Sequence, residues 1–312
     1  MKIYITIDGG TTNTRISLVK DGVVVATDKY NIGARASIDG NAELKKTVKN
    51  GVQAILKKCG IDAKNVIRII ASGMITCEFG LVNLPHITAP CGIKEMKQNS
   101  FDTLLPDISD IPFTFIRGVK TVSDDLSKVD MMRGEETELM GILQDGKCAY
   151  VLPGSHSKII FTDENGNIVN FATLLTGELI HAVSTSTILK DAIDLTLSEY
   201  DKEYLTKGYE YCKENGINES LFKVRILKNL FKATPCQCYG FFLGVALCGE
   251  IEKIIKANAP TVVIGGKKQL KDATAYLLKK YSSSVVKVLS DEEVNSSSTF
   301  GAIKIYEYQA NI

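Results

Sequence analysis

Residues 8–15 read Asp8-Gly9-Gly10-Thr11-Thr12-Asn13-Thr14-Arg15: an acid, two glycines and three threonines within eight positions. They separate a β-rich run, Lys2–Ile7, from an alternating one that continues from Arg15 to Lys20. Two adjacent glycines let the backbone turn tightly and approach a ligand closely. Successive N–H groups in such a turn form an anion-binding concavity, and threonine hydroxyls add donors. An acid at the end of the preceding strand suits Mg²⁺ held through water, since that hard cation prefers oxygen. A plain hairpin turn is the alternative, but a turn alone needs neither the acid nor the threonines. The stretch predicts a strand, a phosphate loop and a second strand, with Asp8, Gly10, Thr11, Thr12 and Asn13 at an anionic ligand and Asp8 beside the metal.

Outward from this loop, Asp21-Gly22 is a hairpin signal and Val23–Lys29 returns as a third strand. A helix follows, with Leu44, Val48, Val52, Ile55 and Leu56 at helical spacing and lysines on the wet face. Val66–Ala71 reads as a buried strand ending in Ser72-Gly73. The same order restarts at mid-chain: Cys148–Leu152, a turn at Pro153-Gly154-Ser155-His156-Ser157, Lys158–Thr162, a hairpin at Asn165-Gly166, and Ile168–Leu174. Gly10 precedes Gly22, and Gly154 precedes Gly166, by the same interval. Helical patterns are read at Ile188–Leu197 and at Leu221, Val224, Leu227, Leu230 and Phe231. Thr261–Ile264 is a strand running into Gly265-Gly266, followed by a helix over Leu270–Lys280. Gly240 and Gly244 predict a helix face that packs closely on a neighbour. The pattern is an internal duplication, with a boundary near Gln144–Lys147 and two halves expected to face each other across a cleft.

Composition narrows the function classes. The 312 residues carry 37 basic and 36 acidic side chains, a net charge of +1, which argues against a nucleic-acid or anionic-membrane binder. No apolar run has the length of a membrane span. The opening apolar stretch ends at Ile7, too short for a secretory leader. Eight cysteines without a C-x-x-C pair read as reduced thiols, and hence a cytoplasmic location. Cys236 and Cys238 read as buried thiols rather than zinc ligands. The P-loop, Rossmann and H-E-x-x-H fingerprints are missing.

The Asp8-led loop resembles the first phosphate loop of the actin-like sugar-kinase and heat-shock ATPase superfamily. Four blocks follow in the order associated with 2-dehydro-3-deoxygalactonokinases: Ala71-Ser72-Gly73-Met74-Ile75, Asp130-Met131-Met132-Arg133-Gly134-Glu135-Glu136-Thr137, Leu152-Pro153-Gly154-Ser155-His156-Ser157-Lys158 and Leu175-Thr176-Gly177-Glu178-Leu179. The chain resembles that family over residues 8–179, and beyond them only through the strand–Gly265-Gly266–helix. Two departures stand out. Gly9 replaces a Trp that the family often carries, and Leu152-Pro153 replaces the acid that usually opens the superfamily's second phosphate loop.

The resemblance implies an α/β fold of two actin-like, ribonuclease H-like domains, duplicated βββαβαβα units facing a nucleotide cleft. Residues 1–145 would hold the first phosphate loop and the sugar site, and residues 146–312 the second phosphate loop and the adenosine site. It implies ATP and Mg²⁺, a small sugar acid as the other substrate, and phosphorylation of 2-dehydro-3-deoxy-D-galactonate at its 6-hydroxyl. Gly154, Ser155, His156, Ser157 and Lys158 look like the second phosphate loop, with Lys158 or His156 offsetting phosphate charge. Gly265 and Gly266 fit an adenosine-contacting turn. Ser72, Gly73, Met74 and His86 fall to the sugar site, although His86 equally suits an ordinary loop position.

Asp130 is the leading candidate for general base, ahead of a helical segment carrying Leu139, Ile142 and Leu143. A helix N-terminus there would favour its charge, and a simple capping role is the competing reading. Glu135 is the alternative base. Arg133 and Arg35 are the candidates for gripping a substrate carboxylate by a planar fork. A hydrolase using Ser155 and His156 is disfavoured, because adjacent residues on a strand point to opposite faces and the G-x-S-x-G elbow is missing. Another sugar or sugar-acid kinase of the superfamily, and an activator ATPase, remain as alternatives. A homodimer is compatible with the sequence.

Overall fold

Both meanders are present. The structure is a computed structural model that describes residues 1–37, 40–266 and 268–309. β1 (Ile3–Gly9), β2 (Thr14–Lys20) and β3 (Val23–Tyr30) run antiparallel. After α1 (Ala42–Cys59), β4 (Arg68–Gly73) lies parallel to β1 with Asp8 opposite Ser72 and Gly9 opposite Gly73. Next come β5 (Ile87–Thr88), α2 (Ile93–Gln98), β6 (Phe101–Leu105), β7 (Ser109–Phe115), β8 (Val119–Lys120), β9 (Met131–Met132) and α3 (Glu135–Ile142). The six-stranded sheet has the order β3-β2-β1-β4-β7-β6, and β5-β8-β9 form a small separate sheet.

In the second half, β10 (Cys148–Leu152), β11 (Ser157–Thr162) and β12 (Ile168–Leu174) repeat the meander. They are followed by α4 (Thr176–Ser186), α5 (Lys202–Asn215), α6 (Ile217–Asn229), α7 (Pro235–Ala257), β13 (Thr261–Ile264), α8 (Lys268–Tyr281), β14 (Val285–Val288) and α9 (Asp291–Glu307). Their sheet has the order β12-β11-β10-β13-β14, with β13 parallel to β10 as β4 is to β1.

The chain divides into two compact units. One comprises Met1–Asp145, Asn165–Asn170 and the chain from Asn295 onward; the other comprises Gly146–Glu164 and Phe171–Val294. In the first, α1 packs Leu44, Val48, Val52 and Ile55 against Ile3, Ile5, Ile7, Phe113 and Phe115. That stripe is the one read from helical spacing. The other face of β1 is covered by α9: Thr6 Oγ1 bonds Thr299 Oγ1 (3.2 Å), and Tyr4 donates to Glu307 (2.8 Å). Burial on both faces explains why β1 reads as a continuous apolar run.

In the second unit, α7 opens with a capping box between Thr234 and Gln237. The expected close packing is with α5: a Cβ on Gly240 would lie 2.4 Å from Asp201 O, and one on Gly244 2.1 Å from Leu205 O.

One expected helix is not formed. Residues 188–197 are turns and irregular chain, although Leu189, Ala192 and Ile193 are buried. Polar side chains compete for the backbone there. Thr187 Oγ1 accepts the Leu189 N–H (3.1 Å), and Asp194 Oδ1 accepts the Thr196 N–H (2.9 Å). The apolar spacing reflected core contacts made by a turn.

Candidate active site

The first loop is held by its own backbone and by residues 33–35. Gly10 N–H donates to Asn13 O (2.7 Å), Ala34 N–H to Gly10 O (3.1 Å) and Arg35 N–H to Thr11 O (2.9 Å). Gly33 allows this contact, since a Cβ there would lie 2.5 Å from Gly10 O. Thr11 and Thr12 are exposed, and Asn13 is half-buried with its Nδ2 3.4 Å from Thr12 Oγ1. The N–H groups of Thr11, Thr12 and Asn13 have no acceptor among the described residues. The Arg35 side chain is exposed beside this loop.

Asp8 ends β1 at the carboxyl edge of the sheet, where open α/β sheets bind ligands. Its neighbours come from three stretches of chain. From β4, buried Ser72 is its register partner, and Gly73, at φ +82°, fits where a Cβ would lie 2.4 Å from Gly9 O. Met74 follows, half-buried, in a short 3₁₀ turn. From α9, Ser298 Oγ donates to Asp8 Oδ2 at 3.4 Å. From α3, Glu135 and Glu138 act on it electrostatically. The α3–α9 approach depends on two small residues: a Cβ on Gly141 would meet Ser297 O, and one on Gly301 would meet Thr137 O.

These acids sit in a poorly solvated cluster. Burial raises the Asp8 carboxyl above the usual range, Arg15 and Ser298 draw it back, and Glu135 pushes it further up. Glu138 is pushed up to about 8, mainly by burial and then by Asp8 and Glu135. Glu136, fully buried, is pushed up to about 8 by burial and by Glu135, although both its oxygens accept the Gly134 N–H. Among the described residues, no group of three or more His, Cys, Asp or Glu side chains could hold a metal ion directly.

The two candidate bases occupy different surroundings. Glu135 is the first residue of α3, and its Oε2 accepts the Arg133 N–H (3.1 Å). Gly134 is the cap, and a Cβ on it would lie 3.3 Å from Gly73 Cα. Asp130 is not the helix cap. It precedes β9, pairs its backbone with Thr121, and accepts the Met131 N–H on Oδ1 (2.7 Å). The structure thus brings Asp8, Ser72, Gly73 and Glu135 together. Asp130 instead lies just before the last strand of the small β5-β8-β9 sheet.

Arg133 spends its fork inside the protein. Nη1 donates to Thr76 O (2.8 Å) and Thr76 Oγ1 (2.7 Å), and Nη2 donates to Leu84 O (3.1 Å) and lies 3.3 Å from His86 Nδ1. A guanidinium can only donate, so His86 Nδ1 accepts and its proton sits on Nε2. Burial, then the positive charges of Arg133 and Lys120, hold His86 down at about 4.

In the second unit, the loop between β10 and β11 mirrors the first. Gly154 is half-buried, while Ser155 and His156 are exposed. Gly177 at the start of α4 fits against it, since a Cβ would lie 2.2 Å from Gly154 O. Glu178 N–H donates to Ser155 O (3.1 Å), and the Glu178 carboxylate lies 3.1 Å from His156 Nε2. Ser157 and Lys158 are buried on β11, and Lys158 Nζ donates to Thr173 Oγ1 (2.5 Å). Beneath them, Glu250 accepts from Thr176 and is raised by burial. Gly265 N–H donates to Val151 O (2.9 Å), and Gly266, at φ +83°, leaves 2.6 Å between a would-be Cβ and Pro153 O. The glycine pair and the second loop are therefore neighbours.

Sequence reasoning missed Ser298, Glu138 and Glu250. Glu138 was findable, because it lies three residues after Glu135 on the same helix face. Ser298 and Glu250 carried no local signal.

Known proteins share this architecture. A structure from Sinorhizobium meliloti described as a putative 2-dehydro-3-deoxygalactonokinase superposes with a TM-score of 0.79 at 23% identity, covering 98% of this chain and all of that one. The (R)-2-hydroxyglutaryl-CoA dehydratase component A of Acidaminococcus fermentans superposes with a TM-score of 0.52 at 14% identity, over 98% of this chain and 97% of that one. The fold is that of the actin-like ATPases and sugar kinases.

In sequence, a Rhizobium meliloti (strain 1021) protein named as a probable 2-dehydro-3-deoxygalactonokinase, DgoK1, is 30% identical over 196 residues. That match spans 61% of this chain and 59% of the relative. The 2-dehydro-3-deoxygalactonokinase of Escherichia coli (strain K12) is 25% identical over 84% of this chain and 85% of its own. The family profile of 2-keto-3-deoxy-galactonokinases matches residues 8–297, a span that runs from Asp8 to the α9 segment beside it, and the chain belongs to that family.

Proposed function

We propose that the protein transfers the γ-phosphoryl group of ATP to the 6-hydroxyl of 2-dehydro-3-deoxy-D-galactonate, releasing ADP and the 6-phosphate. The observation that carries this reading is the acid cluster at the carboxyl end of β1, beside a loop whose Thr11, Thr12 and Asn13 N–H groups have no acceptor among the described residues, in a chain of this family. The loop offers backbone donors to phosphate oxygens, and its threonine hydroxyls add to them.

Mg²⁺ fits the donor set, which is made of carboxyl oxygens of Asp8 and Glu138, close enough that Asp8 adds to burial in raising Glu138. Asp8 would hold it through water, with Glu138 nearby. When bound, the ion neutralises phosphate charge.

Glu135 is our choice of general base over Asp130. It stands at a helix N-terminus beside Gly73 and Asp8, whereas the Asp130 carboxylate is engaged by its own hairpin. It would accept the proton of the sugar hydroxyl, a contribution of about 10²–10⁴-fold. Arg133 acts by positioning, fixing the His86 ring and the chain on either side of it.

The test is ADP release by the purified protein with Mg²⁺ and a panel of sugar acids and neutral sugars. Turnover only with the 2-keto-3-deoxy acid supports the reading. ATP hydrolysis indifferent to any acceptor would replace it with an activator ATPase. Within an active enzyme, Glu135→Gln should lower kcat about 10²-fold or more while ATP KM holds, and Asp130→Asn should stay within a few-fold of wild type.

A further inference from the structure

Arg35 is exposed beside the first loop, and with the Arg133 fork committed to Thr76, Leu84 and His86 the other sequence-derived candidate for the substrate carboxylate is no longer available. Another arginine is. The β4–β7 ladder pairs Ala71 with Phe115, and Ile116 N–H extends it by donating to Ala71 O (2.9 Å). Continuing that register brings Arg117 level with Gly73, at the same carboxyl edge as Asp8.

The residue after it is pinned. A Cβ on Gly118 would lie 2.5 Å from Met132 O and 2.7 Å from His86 Cδ2, and Gly118 O accepts the Ile87 N–H (2.9 Å). Arg117 therefore sits on a fixed backbone at this edge, one residue before the glycine that packs on the imidazole Arg133 orients. Its Nε is buried and has no hydrogen-bond partner, and its guanidinium has none among the described residues. A half-buried cation without an anion is costly to keep.

We propose that Arg117 binds the carboxylate of the sugar-acid substrate through its planar fork, with His86 Nε2–H as a neighbouring donor, and that this contact selects acids over neutral sugars. The proposal rests on the kinase reading above. It requires no chemical step, only charge-assisted hydrogen bonds between guanidinium and carboxylate.

The experiment compares wild type, Arg117→Gln and Arg117→Lys on two acceptors: the sugar acid, and its counterpart with a hydroxymethyl group in place of the carboxylate. Arg117→Gln should lose about 10–100-fold in kcat/KM for the acid, the range of one hydrogen bond to a charged group. The loss should fall on KM. The neutral counterpart and ATP KM should stay within about twofold, and the acid should no longer raise the melting temperature when added without ATP. Arg117→Lys keeps the charge without the fork, so its acid-over-neutral ratio should fall between the other two. It carries the same comparison if the Gln variant does not fold.

Equal losses on both acceptors, or an unchanged acid-over-neutral ratio, would overturn the proposal and leave the kinase reading intact. A wild type that phosphorylates no sugar acid would remove the kinase reading and this proposal with it.

Discussion

Arg133→Met separates a structural arginine from a substrate-binding one. The substitution keeps a long apolar stem and deletes four contacts. Thr76 O retains the Leu84 N–H (3.0 Å), and Thr76 Oγ1 still donates to Gly73 O (2.9 Å). Leu84 O, in a buried residue, has no other donor among the described residues. One stranded carbonyl costs about 1–3 kcal/mol, and the remaining lost bonds add about 1 kcal/mol, for a total of about 2–4 kcal/mol. Urea denaturation at pH 7 measures this directly. His86 supplies a second readout. Its depression to about 4 rests first on burial and then on Arg133 and Lys120, so the variant's imidazole should titrate higher by NMR while staying below its ordinary value. A loss under about 0.5 kcal/mol, with only the sugar-acid KM raised, would refute this account and return Arg133 to the substrate.

Three further expectations follow from the same geometry. Gly73→Ala should destabilise the protein by about 2–4 kcal/mol, since φ is +82° and the new Cβ would sit 2.4 Å from Gly9 O; a melting-curve change within error would show that the turn can relax. Glu136 and Glu138, both raised to about 8, remain protonated in the folded state after the unfolded chain has ionised, so stability should decline as pH rises from about 4.5 to about 8. Glu138→Gln should flatten that decline in denaturation series at several pH values, and an unchanged slope would argue against the acid cluster. Gly177→Val should cut turnover by disturbing the second loop, because its Cβ would lie 2.2 Å from Gly154 O; kcat within twofold of wild type would detach that loop from catalysis.

The meanders were legible because their signals are local. Alternation, Asp21-Gly22, Asn165-Gly166 and the glycine turns each act within a few residues. Ile188–Leu197 misled because apolar spacing reports burial, and a turn capped by Thr187 and Asp194 buries the same positions. In the site, Asp8, Gly73 and Glu135 could be nominated from sequence blocks. The choice between Asp130 and Glu135 could not, since it depends on which residue begins α3, and Gly134 at φ +119° sets that start. Arg133 looked like a ligand-binding fork because its acceptors, Thr76 O and Leu84 O, lie about fifty residues away and leave no trace in the sequence. Ser298 is 290 positions from Asp8.

The three-segment build of the first unit sets an order of assembly during synthesis. β1 leaves the ribosome before α9, so Tyr4, Thr6 and Asp8 meet their partners Glu307, Thr299 and Ser298 only when α9 has been made. The second unit ends at Val294, so all its segments emerge before that helix is complete. A nascent chain can therefore finish its second unit while its first still lacks a wall. Premature termination anywhere before Asn295 leaves Asp8 without Ser298 and β1 with one face uncovered. The acid cluster is consequently completed only once α9 has been made, and chains that stop before it carry the Asp8 loop without Ser298.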